Sequence, residues 1–291
     1  MDLLGWHKPR RTVLVPKIEQ LPDDHQFKPG CLLELGSLFD YIGDPVEGKR
    51  LIDHALQLER GRGNDYQVAL SLITLSCASR QMGLCKEGID QAKKALEIFE
   101  RISDIGKQGY SLVMLAYLFH DDGQLDAAEE VASRAIRLLP EKEEFLLCRS
   151  HRALGDIYRS KEKTEKAVHH FEMARRIASR FDWTFELFWI HYSLARLFCN
   201  EYKLSDAHVH IERAKSRAVN STYSLGRAVE LQAGIYYRQH RLEDATSEAL
   251  RALEIFEKLG ASGEAKSCRA LLRDIEEKAK SRDTLMVSFR E

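Results

Sequence analysis

The stretch ALEIFE is written twice in this chain, at Ala95–Glu100 and again at Ala252–Glu257, 157 positions apart. Between the copies its opening alanine recurs as Ala135, Ala174 and Ala214, and once earlier as Ala55, in steps of 40, 40, 39, 40 and 38 residues. Seven positions before each of these alanines stands a second small residue: Gly48, Gly88, Ala128, Ala167, Ala207 and Ala245. Sixteen positions before each alanine comes an aromatic ring in five units of six, Phe39, Phe119, Tyr158, Phe198 and Tyr236, with Ser79 as the exception. Four residues before the ring, Leu35, Leu75, Leu115, Leu154 and Leu194 complete a Leu-small-x-x-aromatic pattern, and unit six departs from it with Gln232 and Ala233. Small residues let two helix backbones approach, and a large ring fills the space beside them. Each unit therefore reads as an antiparallel helical hairpin. A period of about 40 residues means a stacked array, because one hairpin cannot bury its apolar face alone.

Composition agrees with a folded helical protein. Of 291 residues, 44% are hydrophobic and 31% charged, with six prolines. No stretch approaches the ~18 uninterrupted apolar residues of a membrane span, so no membrane partner is expected. The opening MDLLGWHKPRRTVLVPKIEQ lacks an apolar signal-peptide core, so the expected location is cytoplasmic. Six scattered cysteines without a CxxC pair point to reduced, packed thiols and away from a zinc knuckle. A net charge of −1 gives no global reason to expect nucleic acid.

With these columns the chain resembles the tetratricopeptide repeat (TPR) family. The motif stands as LGSLFDYIGDPVEGKRLIDHA in unit one, LAYLFHDDGQLDAAEEVASRAIRLLP in unit three, where Pro140 holds the closing-proline position, and LGDIYRSKEKTEKAVHHFEMA in unit four. The resemblance implies an all-α, right-handed α-solenoid of six hairpins, over about 29–64, 65–105, 106–142, 143–182, 183–221 and 222–259. Residues 1–28, with Pro9, Pro16 and Pro22, read as an extended lead-in. Residues 260–280, apolar at Cys268, Leu271, Leu272 and Ile275, read as a capping helix, and 281–291 as a flexible tail. The long units, as in LGDIYRSKEKTEKAVHHFEMARRIASRFDWTFELFWIHYSLARLF, also resemble the C-terminal sensor arrays of fungal STAND-type signalling ATPases. That narrower resemblance implies a detached or truncated sensor, since no ATPase motif accompanies it.

Candidate chemistry is sparse. GDPVEGKR, residues 43–50, has the GxxxxGK spacing of a phosphate loop but puts Arg50 where Ser or Thr should hold magnesium, and no strand precedes it. His169, His170, His208 and His210 lie on second helices of neighbouring units, and His170 shares a repeat position with His210, yet no matching Cys or carboxylate supplies a metal set. His151 and His191 share another position, on first helices, where burial is expected. No Ser, His and Asp arrangement places a nucleophile beside its base, so no catalysis, cofactor or metal is expected. The sequon at Asn220 is idle in a chain that is not secreted.

The resemblance assigns the concave face to the first helices. The positions five and two before the leucine column, and two and five after it, give Tyr110, Val113, Tyr117 and His120, then Arg149, Arg152, Asp156 and Arg159. Units five and six give Trp189, Tyr192, Arg196 and Cys199, then Arg227, Glu230, Gly234 and Tyr237. Five arginines with five large aromatics concentrate positive charge and contact area on an almost neutral chain. The expectation is a non-catalytic protein-interaction scaffold or sensor module that binds an acidic, aromatic-containing peptide or helix. The alternative of an RNA-binding solenoid, stacking bases on the same residues, is disfavoured by the neutral charge, and self-association is left open. A chaperone co-factor role is disfavoured because Leu33, Ser37, Ile73, Cys77, Val113 and Tyr117 stand where that branch of the family carries its lysine and asparagine clamp.

Overall fold

The computed structural model describes residues 13–41, 44–218 and 221–288; Gly43 of the phosphate-loop string and Asn220 of the sequon lie outside them. The described residues form helices and no strands. A short α1 (Val15–Glu19) precedes six hairpins: α2 (Lys28–Tyr41) with α3 (Pro45–Gly61), α4 (Asp65–Gln81) with α5 (Cys85–Arg101), and α6 (Ile105–Asp121) with α7 (Leu125–Leu138). Then follow α8 (Glu144–Ser160) with α9 (Thr164–Arg180), α10 (Thr184–Asn200) with α11 (Leu204–Arg217), α12 (Thr222–Arg238) with α13 (Leu242–Leu259), and a last helix α14 (Ser262–Ser288). The contacts group the chain into two compact units, Met1–His170 and Phe171–Glu291.

Local chemistry sets the helix ends. Asp44, Asn64, Asp104 and Ser221 cap α3, α4, α6 and α12, each side chain accepting from the backbone N–H three residues on, at 3.2, 3.3, 2.9 and 3.1 Å. Between helices the chain turns through a left-handed residue one or two positions past the helix end. Gly63, Gly83, Gly123 and Gly260 take that conformation, but so do Ser103, Glu162, Asp182, Tyr202 and His240. In most of these turns the next backbone N–H reaches five residues back, and in four hairpins the carbonyl it finds belongs to the aromatic column: Phe119, Tyr158, Phe198 and Tyr236, at 2.8 to 3.0 Å. The ring column thus marks the last turn of each first helix as well as a core position.

The small columns are close-approach points. The alanines of the repeating column, Ala55, Ala95, Ala135, Ala174, Ala214 and Ala252, have no solvent exposure. A Cβ on Gly36 would lie 2.9 Å from the Gly48 carbonyl oxygen and 2.5 Å from Ile52 Cγ1, and one on Gly88 would lie 2.6 Å from Leu118 Cδ2. Within each unit first helices also meet first helices of adjacent hairpins: α2 with α4, α4 with α6 and α6 with α8 in the first, α10 with α12 in the second. That stacking buries what one hairpin leaves open.

Two terminal expectations are corrected. The lead-in is not extended between residues 13 and 28. It folds against hairpin one because the Lys28 ammonium, 3% exposed, donates to the carbonyls of Glu19 (3.1 Å) and Leu21 (2.7 Å) and to the Asp23 carboxylate (2.7 Å). The Arg62 guanidinium binds the carbonyls of Asp23, His25 and Gln26 from α3's end. At the other terminus α14 continues through Ser288, past the expected end at 280, since no glycine or proline interrupts it after Gly263.

Candidate partner-binding site

In the first unit the expected residues gather around one ring. Tyr117 of α6 is buried at 4% exposure. Three guanidinium groups lie over it: Arg80 of α4 at 4.8 Å, Arg152 of α8 at 5.0 Å and Arg149 at 5.4 Å from the ring centroid. The Tyr117 hydroxyl donates to the Arg149 carbonyl at 3.2 Å. Arg149 also reaches the rings of Tyr110 and of the exposed Phe145. Arg80 is held from behind by Asp121 at 2.6 Å, and Asp121 in turn touches His120, whose Nε2 meets Ser160 Oγ at 2.9 Å. Its carboxyl stays below the ordinary range despite burial, because His120 and Arg80 both bond its charged form. Arg159 and Asp156 form a pair at 3.4 Å, one helical turn apart.

The second unit repeats the theme. Tyr192 of α10, 5% exposed, has Arg227 of α12 at 5.7 Å and Arg196 at 5.9 Å over its ring, and Arg227 donates to its hydroxyl at 3.1 Å. Trp189 packs edge-on against Tyr192 at 5.6 Å and against exposed Phe185 at 6.2 Å. Arg227 pairs with Glu230 at 3.5 Å, while burial pushes the Glu230 carboxyl above its usual range. Tyr237 lies under Lys278 of α14 at 4.3 Å. Tyr110, Arg149 and Arg152 with Tyr117, and Trp189, Arg196, Arg227 and Glu230 with Tyr192, therefore form two clusters, one per unit, in which the two tyrosines are packed posts and the half-buried arginines stack on them. Arg80, Phe145 and Phe185 join these clusters, and Lys278 covers Tyr237, without having been singled out in the sequence. A register search for basic residues five positions after each column leucine would have found Arg80, since Leu75 holds that column in unit two.

The phosphate-loop spacing is absorbed by packing. Lys49 pairs with Asp53 and with Glu87 of hairpin two, and Arg50 with Glu47 and with Glu19 of α1. Among the described residues no group of three or more His, Cys, Asp or Glu could hold a metal ion. The cysteines are free thiols; Cys148, Cys199 and Cys268 are buried, and Cys31 is exposed rather than packed. Burial raises the Cys199 thiol, and pushes that of Cys268 to about 12.

The histidines pair differently from their repeat positions. His170 meets His151 of its own hairpin, Nδ1 to Nδ1 at 3.0 Å, and His210 meets His191 in the same way, also at 3.0 Å. His170 lies nearly parallel to Tyr158 at 5.4 Å, and His210 to Phe198 at 5.4 Å.

No protein-family model matches this chain, and no curated protein does. Solved structures do. A Rap protein complexed with Competence and Sporulation Factor superposes with a TM-score of 0.69 at 14% identity, over 92% of this chain and 79% of that one. The apo quorum sensor NprR from B. thuringiensis gives 0.64 at 15%, over 94% and 83%. A tetratricopeptide repeat protein from Parabacteroides merdae gives 0.63 at 13%, over 94% and 93%. At such identities the likeness is one of fold: this chain has the all-α tetratricopeptide-type architecture of successive packed helical hairpins.

Proposed function

We propose that the chain is a non-catalytic binding scaffold or sensor module that takes an acidic, aromatic-containing peptide or helix against its first helices. The observation that carries this reading is the arginine array stacked on Tyr117, repeated in kind around Tyr192. A guanidinium already laid on a ring has lost much of its rotamer freedom, so a carboxylate that meets it bears less of the ordering cost. Exposed Phe145 and Phe185 at the edges of the two clusters offer apolar area for an aromatic side chain. The Rap protein and the quorum sensor of the same fold supply the sensor half of the proposal by analogy. Base stacking is less well supported, because Tyr117 and Tyr192 are covered and present no free face.

Selection from a random-peptide display library tests this directly. Wild type should enrich sequences rich in Asp, Glu and aromatics, with binding that weakens as salt rises, and the Arg152→Glu, Arg196→Glu double variant should lose that enrichment by at least about tenfold while keeping its helical circular dichroism. Equal enrichment on both proteins sinks the site. Preferential retention of single-stranded RNA by wild type would favour the solenoid's nucleic-acid alternative.

A further inference from the structure

Hairpins four and five carry the same unusual contact 40 residues apart: His151 against His170, and His191 against His210. In each pair the ring centroids are 5.2 and 5.3 Å apart while the Nδ1 atoms are 3.0 Å apart. The difference is about one ring width, so the two nitrogens lie between the rings, nose to nose. Such a line suits one N–H donating to one bare nitrogen; lone pairs converging on a shared metal ion would need the rings bent toward a common point.

The contact can exist in only some protonation states. With one proton on the two facing nitrogens it is a hydrogen bond, in the neutral pair and in the singly charged one alike; when both rings become imidazolium, two N–H groups and two positive charges confront one another and the bond is gone. We propose that the two histidine pairs are proton-operated latches that hold hairpins four and five shut in neutral solution and release them in acid.

The surroundings oppose charging. Around the first pair stand Glu129 of α7, Lys166 and His169 of α9, and the Tyr158 ring; Glu129 is the nearby anion, and it is already engaged by Lys161 and the Tyr158 hydroxyl. Around the second stand Glu172 and Arg175 of α9 with Asp206, Arg213 and Arg217 of α11; Glu172 is tied to Arg175 at 2.6 Å. Burial, with the charge of the partner ring behind it, accordingly brings His170 and His191 down to about 4, and burial depresses His151 and His210 as well. The unfolded chain takes up protons near 6.5 and the native pairs do not. The stabilisation is therefore complete above that value and is lost as pH falls from 6.5 to about 4. His170 reaches solvent through a surface dent lined by Tyr158, Glu165, Lys166 and His169, which gives protons a route.

The same slot elsewhere in the molecule is filled without histidine. The matching positions are Leu32 with Leu51 in hairpin one and Leu112 with Val131 in hairpin three, where the three leucines are fully buried, and Leu72 with Gln91 and Val229 with Glu248 in hairpins two and six. The fold does not need imidazoles there. The latches join the first helices that carry Arg149, Arg152, Trp189 and Tyr192 to their second helices, so opening them would also dismantle both arginine clusters.

The test compares the full chain with a quadruple variant, His151→Leu, His170→Val, His191→Leu, His210→Val, by urea unfolding at about pH 7.5 and about pH 5. The wild-type folding constant should fall at least about tenfold more than the variant's. Parallel losses overturn the latch, because carboxylate protonation is common to both chains. Should the variant not fold, an imidazole proton-NMR titration of wild type decides: four rings that stay neutral until the helices of hairpins four and five open support it, and ordinary titration near 6.5 in the folded protein sinks it. Stabilisation of wild type by added zinc at neutral pH, absent from the variant, would overturn it in favour of a metal clamp.

Discussion

Tyr117 and Gly36 illustrate how differently single residues are constrained. Tyr117 is a ring clasped by three guanidinium groups, and its sequence position alone suggested an exposed contact; its 4% exposure follows from Arg80 and Arg149, which lie on helices contributed by two other hairpins. Side chains arriving from other repeats cannot be read from one unit's register. Gly36, by contrast, was legible, since its column is small throughout and the Gly48 carbonyl sits 2.9 Å from where its Cβ would be. Gly36→Ala should therefore destabilise by about 1–3 kcal/mol, as overpacking of a closed contact does. Gly234→Ala on α12 should have the opposite sign, stabilising by about 0.5–1 kcal/mol, because no heavy atom lies within 4 Å of the added methyl and a helical glycine is relieved. Urea midpoints for the two variants check both; shifts in the same direction would refute the packing account.

At the scale of the element, helix extents follow caps and turns. Among the described residues, the loops between helices carry Ser103, Glu162, Asp182, Tyr202 and His240 in the left-handed conformation. Asp182 and His240 are types that tolerate it, as the glycines at 63, 83, 123 and 260 do, but nothing in Ser103, Glu162 or Tyr202 announces it; there the turn geometry is imposed by the helix pairing on either side. Glu162 is exposed, so replacing it should relieve strain without losing a packed contact. Glu162→Gly is expected to raise stability by up to about 1 kcal/mol, and thermal and chemical unfolding should agree on the sign. The histidine pairs were half legible: His151 with His191, and His170 with His210, share repeat positions, but the contact runs across a hairpin, 19 residues apart, and periodicity alone links equivalent residues rather than facing ones.

For the molecule, the repeat columns made the array readable over the six hairpins, and the ends were read least well because end elements have no repeat to belong to. The last helix is the clearest case. Ala265, Cys268 and Ile275 of α14 close apolar surface formed by Val229, Ala233, Ala249, Ala252 and Phe256 on α12 and α13. Ending the chain at Gly260 should uncover that face, lower the thermal midpoint and promote association, visible as added mass in sedimentation velocity; a monodisperse truncated chain of unchanged stability would show that α14 caps nothing. The slot that holds Leu32 with Leu51, Leu112 with Val131, and the two histidine pairs lies inside a single hairpin each time. It works as an interchangeable socket: a hairpin can trade grease for imidazole, acquiring new chemistry, without its neighbours having to renegotiate their own fit.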